Sequence, residues 1–437
     1  MRFRAMIQLR WPDISGPQSM ITFNDPGIFL RDTTALARFL DYVQMDTTSN
    51  PESTGCPSSE GQRLLADRLA KELLDLGLAD AEVDDNGYVL ASLPGTTPRA
   101  LGVIAHLDTS NACRGDGVQP LVHTNWDGAP IRLKNGIVLS CKTDPQLARC
   151  TGHTIVTSDG TTLLGADDKA GIAIIMGLLE YLQRHGDLPR PTLRVAFTPD
   201  EEIGRGVSRF PYGRFPVEAA FTLDGTFIGE LNFETFEARS VTVCFDGVAV
   251  HPGQAKGRMV NALRAAASFI ELLPEALRPE CTADREGFIH PVGLSGDATS
   301  CTVSLIVRDF ETANVERMTA QIQDIAASLQ AREPRLGVKT DVAFTYPNMY
   351  KYLSGKPRIM ERLTAAVTMA GVEPIIVPIR GGTDGAGLSM NGLPTPNIFT
   401  GAANLHGPQE WVSATGMGYA LCTLLNLLTL YANGSAQ

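Results

Sequence analysis

The chain reads as an α/β protein, a sheet flanked by helices, interrupted once by a small α+β domain. Three observations lead there. Short apolar runs alternate with amphipathic helical patterns, an order that builds a parallel sheet with helices on both faces. Polar residues collect just beyond the ends of those runs, where α/β sheets bind ligands. The pattern changes character after about residue 236 and returns after residue 349.

In chain order, Leu36, Phe39, Leu40 and Val43 recur at helical spacing over 34–45. Ser59-Glu60-Gly61-Gln62 has the form of a capping box ahead of a helix carrying Leu65, Leu69 and Leu73. Asn86-Gly87 signals a turn between two strands, with 88–93 as the second. Residues 101–105 fit a buried parallel strand that delivers His106-Leu107-Asp108. Residues 109–160 show no clear periodicity and read as loop with short strands. A helix follows from Lys169 to about Gly186. Strands at 192–197 and 219–223 end in Thr198-Pro199-Asp200-Glu201-Glu202 and Asp224-Gly225.

The interruption predicts strands at 240–245, 300–307 and 337–344 and helices at 260–273 and 312–329, a β-α-β-β-α-β-like order. Beyond it come a helix at 358–370, a strand at 375–377, a Gly-rich loop, a strand at 397–400 and a helix at 417–431. The expected division is an N-terminal extension over 1–32, a main domain over 33–235 and 347–437, and an inserted domain over 236–346.

At 437 residues the chain suits two or three domains. Its net charge of -11 argues against a general nucleic-acid binder, which needs a basic footprint. The eight cysteines are scattered without a Cys-x-x-Cys pair. They read as mostly buried small hydrophobes in a reducing, cytoplasmic setting. No apolar run approaches the ~18–20 residues needed to span a bilayer, so no membrane partner is expected. The basic start, residues 1–10, lacks the apolar stretch and cleavage site of a signal peptide and reads as an extension or an upstream start.

The stretch Leu164-Gly165-Ala166-Asp167-Asp168-Lys169 admits two readings. Acids are favoured at a helix start by the helix dipole; alternatively, one carboxylate binds metal. His106 and Asp108 lie on one face of a strand end, a metal-ligating imidazole with a carboxylate to orient it, or simply a structural pair. Asp200-Glu201-Glu202 is either a solvated acidic turn or a place where one Glu ligates metal while the other moves protons. Two of only seven histidines, His106 and His406, fall beyond strands of the main domain. The set His106, Asp167, Glu202, Asp224 and His406 suits two zinc-like ions bridged by one carboxylate, about 3.5 Å apart. Arg380-Gly381-Gly382-Thr383-Asp384-Gly385 lacks the spacing of a phosphate-binding loop. It is either a flexible turn or a close backbone approach to substrate, with Arg380 able to fork onto a carboxylate.

These residues resemble the M20 metallopeptidase family, and within it the tripeptide aminopeptidases. The likeness runs from about residue 33 to the C-terminus. It rests on Ala105 to Thr109, Thr161 to Ile172, Thr198 to Gly204, Leu223 to Gly225, His251-Pro252-Gly253-Gln254-Ala255-Lys256-Gly257, Arg308-Asp309-Phe310, Arg380 to Gly385 and His406-Gly407.

The resemblance implies a zinc-peptidase-like mixed sheet with a ferredoxin-like lid and dimerisation domain, two Zn2+ ions per subunit, a small peptide substrate and a homodimer. Asp167 would bridge the ions, His106 and Asp224 completing one site and Glu202 and His406 the other. Glu201 would be the general base, Asp108 would orient His106, and the Asp167–Asp168 bond would be cis. His251 would stabilise the oxyanion, and Arg308 and Arg380 would hold the peptide carboxylate.

The first ~30 residues have no counterpart in the family pattern. Ala402, Ala403 and Leu405 ahead of His406, and Ile289 where Tyr is usual near the lid surface, also depart from it; both differences bear on substrate preference. A dipeptidase or N-acyl amino-acid deacylase would use the same metals and base. A catalytically silent binding protein on this fold would have lost a ligand or the base, and all six residues are present.

Overall fold

The computed structural model describes residues 21–434; the basic start at 1–10 lies outside them. An eight-stranded sheet forms the centre. From edge to edge its strands are Glu82–Val83, Val89–Leu93, Thr192–Thr198, Ala100–His106, Ala220–Gly225, Asn397–Phe399, Glu230–Asn232 and Ile375–Ile376. The four middle strands from Thr192–Thr198 to Asn397–Phe399 are parallel. Val89–Leu93 and Glu230–Asn232 flank them antiparallel, so the sheet is mixed. His106 pairs with Thr198 and Phe399 with Gly225. That register brings the carboxyl ends of all four parallel strands to one edge, the place where such sheets bind ligands.

The helices Ala166–Arg184 and Ala414–Asn433 are buried on nearly all faces, as expected of apolar helices in a large core. The second is long and apolar enough to cross a membrane by length and composition, yet 83% of its apolar window is buried inside the protein. The expectation that no apolar run is so long is corrected: Thr423, Asn426 and Thr429 interrupt the apolar run in sequence, but they are themselves buried and bonded within the helix and core.

Two local expectations are corrected. Residues 23–31 fall in the expected extension, but Phe23, Ile28 and Phe29 are buried in the main core. Asn426 holds the Phe23 backbone through both N–H and C=O, at 2.8 Å each. The capping box at Ser59 does not form; Ser59 precedes the Glu60–Asp75 helix without a side-chain cap. The Gln62 amide engages Asp200 instead: its Oε1, the acceptor a capping box needs, takes the Asp200 N–H at 3.0 Å, and its Nε2 donates to the Asp200 carboxylate at 2.8 Å. Of the eight cysteines, all are unpaired, but only Cys150, Cys301 and Cys422 are buried.

The inserted region is a four-stranded antiparallel sheet in the order Phe288–Gly296, Ser300–Asp309, Glu237–Asp246, Gly337–Tyr346. The helices Ala262–Leu272 and Thr312–Arg332 cover one face and close a separate core around Val243, Phe245, Phe269, Val303 and Ile322. This is the ferredoxin-like arrangement. The strand Phe288–Gly296 is hard to read from sequence because Pro291 interrupts it at a register shift before Gly293. The two chain crossings lie side by side: Thr235 Oγ1 donates to Pro347 O at 3.2 Å and accepts from Met349 N at 3.1 Å. Ile289 is buried in the inserted core, not near a lid surface.

Candidate metal centre

The end of the Ala100–His106 strand carries His106, 3% exposed. Its Nδ1 lies 3.0 Å from the backbone oxygen of Asp108 and 3.4 Å from the Asp108 carboxylate. Its Nε2 faces Asp167 Oδ1 at 2.9 Å and Asp224 Oδ1 at 3.6 Å; it donates to these acids while the ring is protonated, and with Nδ1–H held at Asp108 its lone pair is free for a cation once that proton leaves. The second oxygen of Asp167 faces His406 Nε2 at 3.1 Å, and the same nitrogen lies 3.0 Å from Glu202 Oε1. One carboxylate therefore presents its two oxygens to two imidazoles, and each imidazole meets a second acid.

Neighbouring turns set these positions. The Asp108 carboxylate accepts the N–H groups of Glu201 and Glu202 at 3.0 and 3.1 Å. Asp200, in the left-handed region at φ 61°, accepts from Ser58 N and Gln62 Nε2. The three consecutive acids thus divide: Asp200 anchors the turn, and Glu201 and Glu202 face the cleft. Asp168 spends its oxygens on His106 N and Gly171 N, both at 3.1 Å, tying the helix start to the strand end. The Asp167–Asp168 peptide bond is cis. Thr383 Oγ1 donates to Asp224 Oδ2 at 2.9 Å.

Glu410 carries an unexpected share of the loop. Fully buried, it accepts the N–H groups of Leu164, Gly165 and Asp167 at 2.8, 2.9 and 3.1 Å. Asp144 does the same for the His406 loop, accepting from Asn404 Nδ2 and Trp411 Nε1. Neither residue stands out in the sequence, since a lone acid in a loop has no periodicity or spacing to mark it.

Burial dominates the electrostatics. It pushes the Glu201 carboxyl well above the usual range, with Asp224 adding repulsion, and raises Glu202 to about 7 with help from Asp167. It also lifts Asp224 and Asp168. Burial works against charge on Asp167 in the same way, but hydrogen bonds from His106 and His406 prevail and hold its carboxyl below the usual value. Hydrogen bonding to Asp167 and Glu202 lifts His406 to about 10. Such a nest of acids and imidazoles suits cations. One ligand atom from each of His106, Asp167 and Glu202 lies within 4.8 Å of the others, as does one from each of His106, Asp168 and Asp224. The donor set, imidazole nitrogen with carboxylate oxygen, fits zinc-like divalent ions. Glu202 Oε1 is buried without a well-aligned hydrogen bond, a state that a bound cation would relieve.

The centre opens into a cleft of about 970 Å³ between the main and inserted regions. Asp167, Glu201, Glu202, Asp224 and His406 line it, and Arg308 and Tyr346 line it from the inserted region, the guanidinium 5.1 Å over the Tyr346 ring. The structure does not bring the other two expected substrate residues there. Arg380 donates to Asp284 O, Glu286 O and Thr282 Oγ1, lying over Phe236 and Phe288. Those acceptors consume the fork that a carboxylate would need. His251 is exposed on a surface turn, its Nδ1 accepting from Gly253 N, and does not line the cleft. Leu405 does line it, whereas Ala402 and Ala403 are a buried strand paired with Trp411–Ser413.

A mixed sheet with this centre at its carboxyl edge and an α+β domain across the cleft defines a metallohydrolase architecture. Residues 157–429 match the model of the peptidase family M20/M25/M40, and the chain belongs to that family. Peptidase T of Bacillus velezensis is 43% identical over 401 residues, covering 91% of this chain and 98% of that protein. Peptidase T of Listeria welshimeri matches at the same identity and coverage. Among solved structures, the aminopeptidase PepT of Bacillus cereus superposes with a TM-score of 0.69 at 20% identity, covering 90% of this chain and 97% of that one. A tripeptidase of Staphylococcus aureus gives 0.72 at 18%, covering 92% and 98%. A dinuclear metal binding M20 peptidase of Bacillus subtilis gives 0.61 at 14%, covering 93% and 99%. At these identities the solved structures speak to the fold.

Proposed function

We propose that this chain is a metal-dependent aminopeptidase that releases the N-terminal residue of tripeptides. The observation that carries the reading is the pair of imidazoles facing separate oxygens of Asp167, on a chain so similar to peptidase T along nearly its whole length. His106 and Asp224 would hold one ion and Glu202 and His406 the other, with Asp167 shared. Two divalent cations there, zinc in this reading, would polarise the scissile carbonyl and acidify water.

The remaining work falls to the chain. Glu201 takes the proton from the attacking water and returns it to the leaving amine; its backbone is fixed by Asp108 and its side chain lines the cleft. Asp108 positions both His106 and the Glu201–Glu202 turn. Arg308 faces the substrate's terminal carboxylate from the inserted region, while Arg380 ties that region's 282–286 turn to the main domain. The exposed Val292, Leu294 and Phe344 on the inserted sheet support a homodimer, and eight unpaired cysteines support a cytoplasmic setting.

The test is metal content measured beside hydrolysis of tripeptide, dipeptide and N-acetyl amino-acid panels. The expected result is zinc- or cobalt-dependent release of the first residue of tripeptides. Turnover of acylated substrates with tripeptides left intact would overturn the proposal in favour of a deacylase.

A further inference from the structure

Beyond Asp224 the chain turns through Gly225 and Thr226 and re-enters the sheet at Glu230–Asn232. Thr226 Oγ1 donates to Glu230 Oε2 at 2.5 Å. Asn232 Nδ2 donates to Glu230 Oε1 and to Val377 O, both at 2.9 Å. Because both neighbours of that nitrogen are acceptors, the amide orientation is settled. Asn232 Oδ1 is then left buried without a partner, on a residue only 1% exposed. Thr226, Glu230 and Asn232 all line the same cleft as the metal centre, and among the described residues no lysine or arginine pairs with Glu230.

This corner therefore offers acceptors alone: a carboxylate held by two donors and an unsatisfied amide oxygen. Its complement is a compact donor-only cation, and a primary ammonium carries three N–H donors and no acceptor. Resting on the reading of the centre as an aminopeptidase site, we propose that Glu230 and Asn232 bind the free α-ammonium of the peptide substrate. The Thr226–Glu230 bond ties the carboxylate to the turn that follows Asp224, and Asp224, Thr226 and Glu230 line one cleft. Arg308, on the inserted side of the cleft, offers the opposite charge for the other end of a short peptide. A site built to pair an ammonium leaves its acceptors unpaired when the amine is acylated or missing, and so rejects such substrates.

The experiment compares kcat/KM for a tripeptide and for its des-amino analogue, in which hydrogen replaces the α-amine. Wild type should prefer the amine by about tenfold to a hundredfold, the worth of a charge-assisted hydrogen bond. Glu230→Gln should collapse that ratio towards unity, chiefly through KM, with metal content unchanged. Glu230→Asp should retain most of it, and Asn232→Ala should lower it severalfold, carrying the test should Glu230→Gln fail to fold. A ratio unmoved in Glu230→Gln or Asn232→Ala, with wild-type tripeptide hydrolysis intact, overturns the assignment. Wild-type enzyme that hydrolyses no tripeptide overturns the aminopeptidase reading itself.

Discussion

Replacing Glu410 by Gln should uncouple the Asp167 loop without touching a proposed ligand. The carboxylate accepts two N–H groups on one oxygen and the N–H of Asp167 on the other. A glutamine keeps one acceptor oxygen and presents its NH2 to the remaining donor. At least one buried N–H loses its partner, which costs about 1–3 kcal/mol. Glu410→Ala leaves all three unpaired, and about three times that figure is the ceiling, reached only if the loop cannot relax. Burial raises the Glu410 carboxyl to about 7, against the N–H donors that favour its ionised form; both forms accept hydrogen bonds, so the expectation holds for either. Because these N–H groups fix the approach to Asp167, affinity for the divalent ions should fall about tenfold to a hundredfold, as for other residues that orient ligands. The assay is competition with a chelator of known affinity, run beside thermal melting. Wild-type metal affinity and melting in Glu410→Gln would refute the view that this carboxylate holds the Asp167 loop in place.

Other changes separate the remaining roles. Glu201→Gln should retain its metal ions, measured by elemental analysis, while kcat falls by about a hundredfold to ten-thousandfold. Arg308→Ala should raise KM for free tripeptides but much less for C-terminally amidated ones; Arg380→Ala should show no such distinction, since its guanidinium bonds the 282–286 turn. Gly171→Ala should destabilise the fold by about 1–3 kcal/mol or more in denaturant melts. Its Cβ would fall 2.3 Å from both Asp168 Oδ1 and the Leu223 backbone oxygen. Dialysis against a chelator should abolish hydrolysis and lower the melting temperature, with zinc or cobalt restoring both.

Local chemistry made much of this molecule readable from its sequence. Apolar runs such as 101–105 and 192–197 announce buried strands because a parallel strand covered on both faces has no polar side to show. Acids and histidines placed directly after such runs mark the ligand-binding edge. The 260–273 and 312–329 helices are legible for the same reason, through their periodicity. The strand Phe288–Gly296 is not, because Pro291 and the register shift interrupt the alternation.

Contacts between distant residues could be decided only by folding. Asp200 and Gln62 are 138 positions apart, and nothing local tells which of three adjacent acids turns inward to anchor the chain. Arg380 shows the converse. Its Gly-rich surroundings advertise a substrate residue, yet the packed structure gives its donors to the inserted region. The two adjacent acids at the start of the Ala166–Arg184 helix make the same point. Asp167 and Asp168 are identical in type and adjacent in sequence, and propensity cannot separate them. Their roles part because the fold aims Asp167 at two imidazoles and turns Asp168 onto backbone N–H groups. Side-chain chemistry along the chain names the candidates; which of them share a site depends on where the sheet register and buried hydrogen bonds bring them.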